Sequence, residues 1–203
     1  MHKKLMLACM AIVAFAAFVM APLASAATLT ENGVAVPVGT SITGTATEFK
    51  YTTGISTFTC SHVEMSGTVT ANANGTVAVE IPAGNPNFTG TASGGSCTSD
   101  QFGTVKWTVN SKLCLHIPKG TDIGTITGCG GASATFTLDG PSCKYSASSL
   151  AGTITTVGAG KDAEVNVLEQ GVKREESIFC PEEFKFDMEF RLTTTDGSTL
   201  TFS

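Results

Sequence analysis

The chain reads as an all-β, disulfide-stapled domain carried behind an export leader, and three features of its 203 residues say so. Short apolar–polar alternations recur between Gly, Asn and Asp turns. Six cysteines remain once the leader is set aside. Charged residues make up only 14% of the chain while Thr, Ser, Gly and Ala abound, a balance that suits extracellular β-structure and not a helical enzyme. Many short strands with frequent turns predict an antiparallel β-sandwich, with a β-barrel as the alternative.

The leader comes first. Met1-His-Lys-Lys4 precedes an apolar run from Leu5 to about Leu23 and then Ala24-Ser-Ala-Ala27. A basic start, an apolar middle and small residues at the end form a secretory signal peptide, residues 1–27, cleaved after Ala26 or Ala27. An uncleaved anchor is the alternative, but no basic stop-transfer flank follows the run. Cys9 lies too early in it for a lipoprotein cysteine. Cleavage removes Lys3 and Lys4 from twelve basic residues, leaving ten against seventeen acidic ones, a net charge of −7. An acidic surface without a basic cluster repels phosphate backbones and argues against nucleic acid, and nothing later in the chain is apolar enough to enter a membrane.

Residues 28–203 form a single mature β domain. Strand signals cover 34–38, 41–51, 56–65, 67–73, 76–81, 103–109, 113–117, 123–127, 134–138, 144–155, 163–168, 184–194 and 199–202. Asn74-Gly75 between alternating runs is a two-residue hairpin signal, because both residues accept positive φ. Asp139-Gly-Pro141 and Asp196-Gly-Ser198 punctuate similarly. At most one short helix or turn is expected, near 171–177, since no segment of the mature chain holds a sustained 3.6-residue apolar period.

The mature cysteines are Cys60, Cys97, Cys114, Cys129, Cys143 and Cys180, and an even number in an exported chain is a disulfide framework. Cys60 to Cys97 and Cys143 to Cys180 are both 37 residues apart. The likeness continues around them: Gly67-Thr-Val-Thr70 answers Gly152-Thr-Ile-Thr155, and Val105, Trp107 and Val109 fall at the offsets of Met188, Phe190 and Leu192. Two degenerate copies of one β-unit, about 56–110 and 139–194, account for this. If each copy closes on itself, the bridges are Cys60–Cys97 and Cys143–Cys180, with Cys114–Cys129 left to pair.

Phe184, Phe186, Met188, Phe190 and Leu192 alternate with Glu183, Lys185, Asp187, Glu189 and Arg191. Burying the first set is worth about 1.5–3 kcal/mol per side chain and sets the strand's register. Asp187 and Glu189 reach the separation of a glycosidase carboxylate pair. Lys185 and Arg191 beside them keep both ionised, so the charges read as a solvated face. His62 and Glu64 share a strand face and, with His116, are the candidate metal ligands, without any zinc-like spacing. No Gly-x-Ser-x-Gly elbow or phosphate-binding loop appears, and no cofactor is called for. Trp107 is in phase with Val105 and Val109 and reads as core; Tyr51 and Tyr145 are the other candidate sugar platforms.

Thr59-Cys60-Ser61 with the later Gly67-Thr-Val-Thr70, the segment Cys143-Lys-Tyr-Ser-Ala-Ser-Ser-Leu-Ala-Gly152, and Phe179-Cys180-Pro181 before an alternating aromatic strand together resemble a family. It is a family of uncharacterised secreted β-rich, cysteine-containing proteins of actinobacteria and their relatives. The resemblance implies a secreted β-rich domain and transfers no catalytic or binding residue. The chain departs from it in the charges after Cys180. The functional expectation is a non-enzymatic extracellular or cell-envelope-associated module, structural or binding, that meets cell-wall polymer or an extracellular protein through the loops 82–100 and 112–131. A secreted inhibitor or binder of a hydrolase is the second reading, and a hydrolase with an unrecognised site the third.

Overall fold

The structure, a computed structural model, describes residues 28–47, 49–52, 56–84, 87–89, 97–101, 103–139, 142–156, 162–176 and 179–203, with the backbone alone at 87–89, 139, 156, 168, 169, 176, 184 and 186. The signal peptide expected over 1–27 lies outside these residues.

Two short strands, β1 (Leu29–Glu31) and β2 (Val34–Ala35), come first. Eight long staves then run alternately up and down. The first is β3 (Ser41–Ala46) with β4 (Phe49–Thr52), and the second β5 (Thr57–Cys60) with β6 (His62–Ala73). The third is β7 (Thr76–Ile81), β8 (Asn87–Thr89) and β9 (Cys97–Ser99), and the fourth β10 (Gly103–Val109) with β11 (Leu113–Ile117). The fifth is β12 (Ile123–Gly128) with β13 (Ala134–Asp139), and the sixth β14 (Cys143–Ala147) with β15 (Leu150–Thr156). The last two are unbroken: β16 (Ala163–Glu176) and β17 (Glu183–Thr194). A final strand, β18 (Leu200–Phe202), follows.

Each stave pairs antiparallel with the next, and the eighth returns to the first through Thr45–Arg191 and Phe49–Met188. The staves therefore close into an eight-stranded up-and-down barrel. Closure removes every open edge from this wall, the feature that a sandwich would have left exposed. Of the two all-β architectures expected, the barrel is the one formed.

Alternation explains the wall. Val105, Trp107, Val109, Leu113, Leu115 and Ile117 of the fourth stave are all buried, while Lys106 and His116 between them are exposed. On β17, Phe190 and Leu192 are buried and Met188 is half-buried against the core, whereas Lys185, Asp187, Glu189 and Arg191 face water. The charges of that strand are thus a wet face. Glycines thin the inner wall where staves crowd: a Cβ at Gly67 would stand 2.7 Å from Val79 Cγ1, and Gly124 pairs directly with Gly152.

One end of the barrel is corked. β1 pairs with both β2 and β18 in a three-stranded sheet, placing Leu29, Val36, Leu200 and Phe202 in the core. Asn72 fastens this cap: its Oδ1 accepts from Leu29 N at 2.8 Å, and its Nδ2 donates to Leu29 O at 2.7 Å and Val36 O at 2.9 Å. The turns at this end include Asn74-Gly75, with φ of 55° and 79°, and its twin Asn32-Gly33, with φ of 51° and 80°.

Several expectations change. Residues 171–176, where at most a short helix or turn was expected, continue β16, because both edges of that segment are paired, with β14 and with β17. Residues 112–131, expected as a binding loop, are largely the β11–β12 hairpin followed by a 3₁₀ turn at Cys129–Gly131. The separate strands expected at 56–65 and 67–73 divide instead at Ser61. The residues of the two β-units fall on the second to fourth and the sixth to eighth staves, four staves apart.

Candidate functional site

The end opposite the cap gathers the turns between the first and second, third and fourth, fifth and sixth, and seventh and eighth staves. Its described parts are held tightly. Ser56 is buried, and its hydroxyl lies 2.7 Å from Ser99 Oγ and donates to Asp100 Oδ1 at 2.5 Å. Asp100 Oδ1 also accepts from Thr57 N at 3.2 Å, and Ser99 Oγ accepts from Gln101 N at 3.2 Å. Two neighbouring turns are thereby welded together. The Ser56 hydroxyl, helped by backbone N–H groups, holds the Asp100 carboxyl below the usual carboxylate range against a small desolvation effect.

Two disulfides staple the same end. Cys60–Cys97 crosses directly between β5 and β9, and Cys143–Cys180 ties β14 to the turn after β16. The third, Cys114–Cys129, clasps the β11–β12 hairpin at mid-wall. The first two are the pairs 37 residues apart, and the third joins the cysteines those two leave, 15 residues apart. Arg174 adds a further clasp: its Nη1 donates to Cys180 O at 2.6 Å and its backbone N to Glu182 O at 2.9 Å. Phe179, beside that clasp, is 87% exposed.

Beneath the turns lies an aromatic floor. Tyr51 stacks on Phe58 at 4.2 Å and meets the edge of Trp107 at 4.9 Å; Trp107 lies 6.2 Å from Tyr145. Burial pushes the Tyr51 phenol far above its ordinary range; the Trp107 indole opposes this and Tyr145 adds to it. Burial likewise pushes Tyr145 up to about 12, with the Arg174 guanidinium working against it. The three candidate sugar platforms are therefore interior, and neither tyrosine is an acid or base at neutral pH.

The candidate metal ligands do not converge. His62 Nε2 is 3.7 Å from Glu64 Oε2 on β6, but His116 lies on β11 opposite Ala78, whose partner on β6 is Ala71, nine residues from His62. Among the described residues the ligand-type atoms that do approach one another belong to Glu80, Cys114 and Cys129. There the sulfurs are bonded to each other and the Glu80 carboxylate is paired with Lys112, so no thiolate is on offer. A shallow dimple on the outer wall, lined by Ile123, Ala151, Gly152, Thr153, Asn166 and Gln170, contains no titratable group.

Sequence reasoning missed Arg174, Asn72 and the protruding Phe179. Arg174 sits in a run of charges that looks uniformly solvated, and only its register opposite Tyr145 gives it an inward role. No protein-family model, curated protein or solved structure matches the chain.

Proposed function

We propose that the chain is an exported, non-catalytic β-module that binds a partner through the stapled end of its barrel. The observation that carries this is the contrast between the ends: one is corked by its own β-sheet, while the other displays turns held by two disulfides and the Ser56–Asp100 and Arg174–Cys180 hydrogen bonds. Turns held by a rigid scaffold are where β-folds carry recognition, and pre-ordering them lowers the entropy lost on binding. Three disulfides fit an oxidising, extracellular compartment. Among the described residues no helix is long and apolar enough to cross a membrane. The wall itself is apolar inside and carries Lys50, Lys185, Glu189 and Arg191 outside, the reverse of a barrel that faces lipid. This module reading agrees with the resemblance to secreted β-rich, cysteine-containing proteins of actinobacteria.

Retention of the oxidised mature protein on cell-wall polymer, or on proteins of the extracellular fraction, tests the reading. Adding positive charge at the stapled end with Gln101→Lys and Glu182→Lys lowers retention by about tenfold, whereas Lys119→Glu at the capped end leaves it unchanged. Equal effects from both ends, or turnover in a hydrolase screen, sink it.

A further inference from the structure

Glu80, Cys114 and Cys129 meet on the outside of the barrel wall. Leu113, Leu115 and Ile117 of β11 are buried, so Cys114, alternating with them, points outward. Glu80 lies directly opposite it on β7, and Cys129 follows β12, where its N–H donates to Lys112 O at 2.9 Å. Two sulfurs and a carboxylate oxygen from three neighbouring segments thus lie within 4.8 Å of one another.

The bridge between these sulfurs differs from the other two in access. Cys60, Cys97, Cys143 and Cys180 are buried, whereas Cys114 and Cys129 are both partly open to solvent. Thiol–disulfide exchange needs a thiolate to reach a bridge sulfur, so a dithiol in solution meets this bridge first. Opening it leaves the wall intact, because β11 still pairs with β7 and β12, and β12 with β15. The backbone therefore keeps the two cysteines together, Cα to Cα 5.0 Å apart, once the bond between their sulfurs is gone.

We propose that Glu80, Cys114 and Cys129 are a redox-gated site for a thiophilic divalent cation of the zinc type, closed while the bridge stands and formed when a dithiol reduces it. The inference goes beyond the module reading and does not depend on it. One thiolate of the dithiol attacks a bridge sulfur, the bond between Cys114 and Cys129 breaks, and the other cysteine leaves as a thiolate. The dithiol's second thiolate then attacks its own sulfur in the mixed disulfide, which closes the dithiol into a disulfide and releases the second cysteine thiolate. Two electrons pass to the protein, and the dithiol's two protons go to solvent as the cation takes both thiolates. Zinc-type ions favour sulfur in tetrahedral array, with donors about 3.5–4 Å apart, a spacing within the 4.8 Å span of this trio. Water completes the fourth position. Two thiolates and one carboxylate around a dication leave one net negative charge, and the Lys112 ammonium paired with Glu80 stands beside it as counter-ion. Calcium and magnesium, which take oxygen donors, do not suit two sulfurs.

The test exposes the mature, disulfide-bonded protein briefly to dithiothreitol, removes the reagent by gel filtration without oxygen, and titrates with cadmium as the probe ion. Peptide mapping after alkylation should find Cys114 and Cys129 reacting at least about tenfold faster than the other four cysteines. Cadmium–thiolate charge-transfer absorbance should then rise to saturation at one ion per chain, while the unreduced protein shows none. Glu80→Gln weakens cadmium binding at least about tenfold. Replacing Cys114 and Cys129 together with Ser abolishes the absorbance. Earlier or equal opening of a buried bridge, no absorbance after reduction, the same absorbance without reduction or without the two cysteines, or undiminished binding by Glu80→Gln overturns the proposal. The mapping and the first titration use the unaltered chain, so they decide the matter even where a variant does not fold.

Discussion

Asn72 joins the cap to the barrel with three hydrogen bonds made in a buried place. Replacing it with Ala strands the Leu29 N–H and the Val36 carbonyl away from water, while Leu29 O keeps its bond from Val36 N, and each stranded group costs about 1–3 kcal/mol. Asn72→Ala is therefore expected to lower unfolding free energy by about 3 kcal/mol or more in urea. A change below about 0.5 kcal/mol would mean that water reaches the joint. Gly67 tests packing instead. A methyl group there meets Val79 Cγ1 at 2.7 Å and the Glu80 carbonyl oxygen at 3.0 Å, and the backbone atom has little room to retreat. Gly67→Ala should cost about 1–3 kcal/mol, although Ala favours strands over Gly. Neither role was legible from local pattern. Asn72 sits among alanines, and Gly67 belongs to a Gly-Thr-Val-Thr run whose inward face is decided by its neighbours. His62 and Glu64 were legible as strand neighbours, but their distance from His116 depends on which stave lies between them.

Along single strands more could be read, because alternation and cysteine spacing are local. The β17 faces followed from period two alone, and the equal spacing of four cysteines pointed to two bridges. The short helix or turn expected near 171–177 did not form over 171–176, because this segment pairs with β14 and with β17, and that pairing overrides local preference. The paired strands β4, β5, β10 and β14 also carry the aromatic floor, and a pH prediction belongs to it. The chain has two tyrosines, Tyr51 and Tyr145, both buried. For each the folded pKa lies above the ordinary phenol value of about 10. The fold favours the neutral phenol, so this stability is complete below that value and is lost as pH rises past it and through about 12 for Tyr145. Phenolate absorbance should then rise in one step that coincides with loss of near-ultraviolet circular dichroism. Independent titration of either tyrosine in folded protein would contradict the buried floor. The staples give a second comparison. Removing Cys143–Cys180 by paired Ser substitutions should cost about 4 kcal/mol, and removing Cys114–Cys129 about 3 kcal/mol, since the loops differ in length. Equal or reversed losses in urea would assign the stability to native packing around the bridges.

Closure into a barrel was beyond local reading, because it depends on a seam between strands that begin at Ser41 and Glu183. Seven of the eight seams join consecutive staves and need only hairpin formation. The eighth must bring together residues separated by most of the chain, and no short pattern encodes it. The cap has the same long-range character: Leu29 pairs with Phe202, Thr28 N donates to Ser203 O at 2.9 Å, and Ser203 N returns a bond to Thr28 O. Residues 28 and 203 are thus neighbours, and the ring has no structural beginning. A version of 28–203 whose ends are joined by a short Gly-Ser linker and which is opened between Asn74 and Gly75 should therefore keep the barrel. Its long-range seam then joins strands separated only by the cap and the linker, while the seam between β6 and β7 becomes the distant one. Peptide mapping is expected to return the same three disulfides, with a stability loss of about 1–3 kcal/mol for the broken turn. Scrambled bridges, or a chain that does not fold, would show that the order in which the staves are made is itself needed to close the ring.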